Sequence, residues 1–397
     1  MMNDFIETVD TAKYLTRDGK RVYICQPDFQ EIESNYGREG IVRIVSRCIT
    51  ENGLTIEDAR GGIDGDDVQR DFRELCNLDG NSLWKEGETY CKYSGAKYLN
   101  GEYIARSSVG GKSSNYFHWD DRMRVEATGK GSIVSAWEDS DKHPKWLKLL
   151  WALKYDNVDS NKLLACLRLG WSEATQFRPS VAKAVYERYG GSNARILDMS
   201  SGWGDRLAGF YGSKNTKMYL GIDPNSSLFE SYQKQRKMYS GALKAMSDSY
   251  EPRGFVCNKV SKMMEACSER IDYGNLKFDV AFTSPPYYVK ERYNASADQS
   301  WIEYDTFEQW LEEFYFVSLE KAYNSLVSGG HLIINITDIR DGSEFFNICD
   351  PMVDYMSTLK GSTFMGAAGM ELGLRPFTGI SKDVVYVEPI FVWKKDV

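Results

Sequence analysis

Histidine is scarce in this chain, with only His118, His143 and His331 in 397 residues. The eight cysteines are scattered and form no Cys-x-x-Cys pair. Together these absences leave no ligand pattern for zinc, so no metal site is expected. Cysteines without a framework also suit a reducing, intracellular setting. No apolar run is long enough to span a bilayer, and the first residues lack a basic patch followed by an apolar stretch, so neither a membrane segment nor a secretory signal is expected. Internal repeats and low-complexity tracts are missing too. With 42% hydrophobic and 27% charged residues, the chain has a globular composition and enough length for two domains.

The formal charge of −8 argues at first against a nucleic-acid partner. Its distribution changes that reading: residues 1–100 carry a net −6, residues 101–300 a net +6, and residues 301–397 a net −8. The middle of the chain permits a polyanion without establishing one.

Residues 1 to about 140 are polar, with clusters such as "RGGIDGDD" (60–67). They read as a mixed, loop-rich accessory domain without a long periodic helix. "HPKWLKLLWALKY" (143–155) reads as an amphipathic helix that covers a core, with Trp146, Leu149, Leu150 and Leu153 on one face. From about 175, strands and helices alternate. "ARILDM" (194–199), "KMYLGID" (217–223), "GFVCN" (254–258), "KFDVAFTS" (277–284) and "GHLIINITDI" (330–339) read as strands, with helices at about 305–327 and 343–360. This alternation predicts an α/β fold with a doubly wound parallel sheet. The closing "DVVYVEPIFVWKK" (383–395) reads as an antiparallel strand added to it. The expected division is an accessory domain over 1–140 and a catalytic domain over 141–397.

Two motifs carry chemistry. The first, "ILDMSSGWGDR" (196–206), occupies a strand-to-helix turn, where open α/β sheets bind ligands. Gly202 and Gly204 allow the backbone to approach a ligand closely. A nicotinamide-dinucleotide fingerprint wants Gly or Ala three residues after the second glycine, and Leu207 stands there. Asp198 before the glycines would repel a pyrophosphate and suits a cation. Asp223 ends the next strand, where a carboxylate accepts both hydroxyls of a ribose. A ligand with a ribose, a positive charge and no phosphate describes S-adenosylmethionine. "GGKSS" (110–114) is not a phosphate-binding loop, because Arg106 occupies the position of its first glycine. The stretch "KSSNYFHWDDRMR" (112–124) mixes Lys112, Arg122 and Arg124 with aromatic residues. It is either a basic loop that contacts nucleic acid or an ordinary surface loop.

The second motif is "TSPPYY" (283–288), at the end of the predicted fourth strand. Two prolines remove two backbone donors and stiffen the chain. What remains are acceptors: the Ser284 and Pro285 carbonyls and the Ser284 hydroxyl. Acceptors beside the ring of Tyr287 suit a planar base carrying an NH2 group. Hydrogen bonds to both amine hydrogens raise electron density on nitrogen, and methyl transfer then becomes a matter of positioning. No Pro-Cys pair marks a cysteine nucleophile.

With both motifs in view, the chain from about 175 to 397 resembles the SAM-dependent DNA amino-methyltransferases. "TSPPY" resembles the form typical of N4-cytosine members; adenine members more often carry Asp or Asn where Ser284 stands. The resemblance implies a class I, Rossmann-like methyltransferase fold and S-adenosylmethionine as cofactor. It implies cofactor contacts from Asp198, Gly202, Gly204, Asp223, Asn258, Thr283, Phe177 and Pro179. Ser284, Pro285, Pro286 and Tyr287 become the catalytic segment. "EPIFVWKK" (388–395) resembles the family's last strand. DNA is the implied partner, with base flipping, and Lys290, Arg292 and Tyr293 are candidates for holding phosphate or the flipped strand. No usual target-recognition domain fits between the motifs or after the last strand, so residues 1–140 are assigned that role by elimination. Adenine N6, RNA or protein amide nitrogen stand as alternatives, as does a non-catalytic nucleic-acid-binding subunit. A restriction partnership and other biological roles stay open.

Overall fold

The computed structural model describes residues 8–14, 16–18, 21–248, 258–290, 292–293, 299–373 and 384–396. The chain divides into two compact units that interleave in sequence. One is made of Met1–Gly65, His118–Thr175 and Glu291–Asn294, the other of Asp66–Phe117, Gln176–Lys290 and Ala295–Val397. The boundary expected near residue 140 is therefore not found, because residues 66–117 supply helix and strands to the larger unit.

The smaller unit is mainly helical, not loop-rich. Its longest helix, Gln26–Glu51, is broken at Gly37, whose φ of 68° lies in the left-handed region that favours glycine. Ile32, Ile41, Ile44, Val45, Cys48 and Ile49 of this helix are buried at helical spacing. They join a core with Trp119, Trp137, Trp146, Leu147, Leu150 and Leu163. The segment 143–155 forms two short helices, His143–Leu147 and Leu149–Ala152, rather than one. It buries Trp146 and Leu150 as expected, yet Leu149 and Leu153 are only half-buried and Leu147 takes a core position. Core tryptophans keep their N–H groups satisfied: Trp137 donates to the Leu54 carbonyl at 2.8 Å and Trp119 to that of Ile56 at 3.1 Å. Three short strands, Thr16–Asp18, Arg21–Ile24 and Val158–Asp159, pair antiparallel.

The larger unit is built on one ten-stranded sheet. In chain order its strands are β1 (Trp84–Glu86), β2 (Thr89–Tyr90), β3 (Leu99–Ile104), β4 (Ala194–Asp198), β5 (Thr216–Asp223), β6 (Val260–Glu265), β7 (Phe278–Thr283), β8 (Leu326–Asn335), β9 (Ser362–Glu371) and β10 (Val385–Lys395). The spatial order is β1-β3-β9-β10-β8-β7-β4-β5-β6, with β2 alongside β10. Strands β6, β5, β4, β7 and β8 run parallel, and β10 lies antiparallel between β8 and β9. Without β10 and the first three strands, this is the doubly wound order 3-2-1-4-5-6. The α/β architecture with an antiparallel last strand is thus the one found.

Alternation along each strand serves two cores. Leu197, Leu220, Ala281, Leu332 and Ile334 face one, shared with helix residues Trp310, Leu319 and Met352. Ile196, Tyr219, Val280, Phe282 and Ile333 face the other, against Phe72, Val181, Leu207 and Tyr239. Phe282 is fully buried, with the rings of Phe177 and Tyr186 edge-on at 5.7 and 5.9 Å. Burial of such a ring contributes about 1.5–3 kcal/mol.

Several elements differ from expectation. The third strand was expected over 254–258, of which only Asn258 is among the described residues; β6 starts two residues later, at Val260. The helix expected over 305–327 is a broken run that includes a π-helical turn at Trp310–Tyr315. A hairpin, Ile339–Asp341 with Glu344–Phe346, precedes helix Cys349–Thr358 where one helix was expected.

Candidate active site

Strands β4 and β7 are neighbours whose chain connections depart in opposite directions, which makes their carboxyl ends the topological switch point of the sheet. Both sequence motifs arrive there. Asp198 ends β4 and Thr283 ends β7, and the Thr283 hydroxyl donates to Asp198 at 3.2 Å.

The Asp198 carboxylate is fully buried and already well supplied with donors. It accepts from Arg206 Nε at 2.9 Å, Tyr219 Oη at 2.6 Å and the Ser200 N–H at 3.3 Å. Burial disfavours the Arg206 charge, yet the Asp198 carboxylate outweighs it and holds the guanidinium above its ordinary value. The expectation that Asp198 faces a cationic ligand is corrected on this point. Its charge is matched within the protein, and it anchors the turn through the Arg206 of "GDR". Arg206 also lies 5.3 Å from the ring centroid of Phe177. Pro179 is buried at the first position of helix Pro179–Tyr189, where its missing N–H costs nothing.

Asp223 folds the glycine turn onto the end of β5. Its carboxylate accepts from the Gly202 N–H at 2.8 Å and the Asn225 N–H at 3.0 Å. Burial pushes its carboxyl up to about 6 against the pull of those two donors. Gly204 has a φ of +73°, and a Cβ there would meet Gln235 Oε1 at 2.2 Å, so a larger residue is strained and must displace that side chain. Gln235 donates to the Trp203 carbonyl at 3.1 Å and to Ser113 Oγ at 3.2 Å. The segment "GGKSS" thereby buttresses the turn. Its Gly110 and Lys112 N–H groups donate to Asp71 at 3.0 and 2.8 Å, which occupies with a carboxylate the place a phosphate would need.

Asn258 is not at the carboxyl edge of the sheet, where its expected cofactor contact would need it. Strand β6 pairs Asp223 with Glu265, so its carboxyl end is at Glu265 and Ala266; Asn258 precedes the strand and is exposed. Beyond that end lie Cys267, Glu269 and Glu303, with ligand atoms within 4.8 Å of one another. Arg270 forms ion pairs with both glutamates.

At the end of β7, Ser284, Pro286 and Tyr287 are half-buried and Pro285 is buried. Tyr288 takes a positive φ of 44°, rare for a bulky residue. Its ring is buried among Phe307, Trp310 and Phe346 at centroid distances of 5.4, 5.8 and 5.2 Å. The Lys290 N–H closes this turn on the Tyr287 carbonyl at 2.9 Å. Tyr288 is thus the anchor that holds the Tyr287 turn. The Tyr287 hydroxyl donates to the Glu388 carboxylate, with the Asn335 carbonyl at 3.3 Å and Ser284 Oγ at 3.4 Å. Glu388 sits near the start of β10 and was read from sequence only as part of a strand. A carboxylate beside proline at a strand start was the signal available. Lys290 is exposed, its ammonium 5.0 Å from the Tyr287 ring centroid.

Of the other basic candidates, Arg122, Arg124 and Arg292 belong to the smaller unit and Lys112 to the larger. Arg122 is buried and donates to the Ala174 carbonyl at 3.0 Å, which removes it as a phosphate contact. Arg124 is exposed but bonded twice to Asp120, at 2.8 and 3.1 Å. Lys112 is exposed. Residues 112–124 form two short helices, not one loop, and are divided between the two units after Phe117. Arg292 pairs with Glu126 through backbone bonds of 2.9 and 3.2 Å in the smaller unit, together with Tyr293, whereas Lys290 belongs to the larger.

No family model matches the chain, and no curated protein matches it in sequence. Solved structures do match. TrmN from Thermus thermophilus is 16% identical over 55% of this chain and 48% of its own, with a TM-score of 0.32. An rRNA methylase from Streptococcus thermophilus is 14% identical over 56% and 99%, with a TM-score of 0.33. The N-methyltransferase NodS from Bradyrhizobium japonicum WM9 is 11% identical over 54% and 93%, with a TM-score of 0.32. The chain spans about half the length of TrmN. Among the described residues, no helix is long and apolar enough to cross a membrane.

Proposed function

We propose that this protein is a SAM-dependent amino-methyltransferase that acts on the exocyclic amine of a DNA base, cytosine N4 in preference to adenine N6. The reading rests above all on one observation: the glycine turn and the Ser284–Tyr287 segment stand on adjacent strand ends at the switch point of the sheet.

The residues present fit the cofactor. Each Asp223 oxygen accepts one backbone N–H, the Tyr232 hydroxyl also bonds to the carboxylate, and the lone pairs that remain are offered to the ribose. Gly202 and Gly204 give the turn a bare backbone. S-adenosylmethionine supplies the electrophilic methyl when bound. The chain's own part is orientation. The Pro285 carbonyl and Ser284 hydroxyl accept from the amine, and the Tyr287 ring offers a face to the base, whose lone pair is then aimed for in-line transfer. A base within a duplex must leave the stack to reach them. Ser284, a neutral acceptor, supports cytosine over adenine.

Calorimetry with S-adenosylhomocysteine and transfer of labelled methyl test this reading together. Binding with label in DNA supports it. Binding with label in RNA or polypeptide shifts the substrate class, and binding without transfer to any of the three makes the chain a non-catalytic module.

A further inference from the structure

Methyl transfer to an amine leaves one proton too many on nitrogen. The N–CH3 bond forms as the S–CH3 bond breaks with its electron pair going to sulfur, and an N–H proton must then depart. Ser284 is neutral and cannot keep that proton near neutral pH. Resting on the function proposed above, the geometry points to a proton relay from Ser284 through Tyr287 to Glu388, with Glu388 as its terminal acceptor.

The direction of the relay follows from the hydrogen-bonding inventory. A phenol has one proton to give. The Glu388 carboxylate and, at 3.3 Å, the Asn335 carbonyl lie near the Tyr287 hydroxyl. The charged acceptor makes the stronger bond and takes the proton. The Tyr287 oxygen is then left as an acceptor for the Ser284 hydroxyl, 3.4 Å away. With its own proton turned toward Tyr287, Ser284 presents lone pairs to the amine. As the amine proton moves to Ser284 Oγ, the serine proton moves to Tyr287 Oη and the phenol proton to Glu388. Every oxygen but the last regains what it loses, and Glu388 ends as the neutral acid. The Ser284–Tyr287 contact is longer than a good O–H···O bond of roughly 2.7 Å. The two oxygens must draw together, as catalytic hydrogen bonds commonly do in the substrate complex.

Glu388 is held for this task. It lies on β10, whose Ile390 is in register with Asn335 at the end of β8, and the Asn335 side chain donates to the Pro389 carbonyl at 3.1 Å. The carboxylate is half-buried, which allows its proton to leave to solvent after turnover. Glu388 acts through Tyr287 and is a positioning residue, separate from the Ser-Pro-Pro-Tyr segment.

The test compares wild type with Glu388→Gln, which keeps an acceptor for the phenol but takes no proton, and with Glu388→Asp, which restores the carboxylate. Transfer under saturating cofactor is expected to fall about a hundredfold in Glu388→Gln. Glu388→Asp is expected to regain most of the rate, with S-adenosylhomocysteine affinity unchanged in both. A second readout needs no turnover: the tyrosine Cζ NMR resonance that disappears in Tyr287→Phe is expected to move in Glu388→Gln. A wild-type rate in Glu388→Gln, or an unmoved Tyr287 resonance, overturns the relay alone. A wild type that transfers no methyl to any substrate overturns the proposed function and the relay with it.

Discussion

Lys290 holds its ammonium 5.0 Å from the centroid of the Tyr287 ring, the same ring proposed to stack on the target base. A cation over an aromatic face contributes about 0.5–1 kcal/mol at an exposed site, so it yields readily to a base. The displaced ammonium then has the nearby phosphate to meet. Lys290→Ala is expected to raise KM for DNA and to lower the log–log salt slope by about 0.9, the loss of one phosphate contact. An unchanged KM and slope would show that the lysine only covers the ring.

Tyr287→Ala removes both the stacking face and the phenol. Stacking on an aromatic side chain is worth about 1–3 kcal/mol per base. Transfer is expected to fall by more than this while affinity for S-adenosylhomocysteine holds, and a retained rate in a single-turnover assay contradicts the stacking role.

Under the proposed function, Asp223 links cofactor binding to pH. Burial raises its carboxyl from 3.8 to about 6. Because the folded value is the higher one, this group favours the folded protein at low pH, and that contribution is lost as pH rises from about 4 through about 6. Binding runs the other way, since only the carboxylate accepts from both the loop and the ribose. S-adenosylhomocysteine affinity is expected to weaken below about pH 6, toward about tenfold per pH unit. Asp223→Ala is expected to bind weakly with a flat profile. A flat calorimetric profile in wild type refutes the ribose assignment.

Arg206 and Asp198 form a buried ion pair at 2.9 Å, with side chains 5% and 0% exposed. Loss of one partner strands the other charge, at a cost of roughly 3–5 kcal/mol. Arg206→Met is therefore expected to lower stability by that amount in denaturant unfolding, and a loss below 1 kcal/mol would mean that Asp198 finds another partner.

The sequence spells out this site unevenly, and for physical reasons. Strands β4, β5, β7 and β8 are legible because buried parallel strands are dense in apolar residues, and the antiparallel β10 because its Val, Ile, Phe and Trp are buried as well. Strand β9 is not, because "STFMGAAGME" is rich in Gly and Ala, chosen for close packing: a Cβ on Gly369 would meet Val387 at 2.6 Å. The short strands over 84–104 are polar; β1 pairs only with β3, while β3 and β2 find β9 and β10 far along the chain. The domain division is hidden for the same reason, since residues 66–117 fold onto strands more than 250 residues later. Helix Gln26–Glu51 was readable from Ile41, Ile44, Val45 and Cys48, but its glycine and polar first half obscured the period.

Motif chemistry was legible where it depends on backbone, as with Gly202, Gly204, Pro285 and Pro286. It was not legible where it depends on long-range partners. Asp198 reads as a ligand group until Arg206 and Tyr219 are seen on it. Glu388 reads as nothing until it meets Tyr287, 101 residues away.

The central claim is tested most directly by the identity of the product. DNA treated with the protein and S-adenosylmethionine, digested to nucleosides and analysed by mass spectrometry, is expected to yield N4-methyl-deoxycytidine, absent with Tyr287→Ala. Methyl found on adenine or on cytosine carbon, or none on any nucleoside despite cofactor binding, would contradict it.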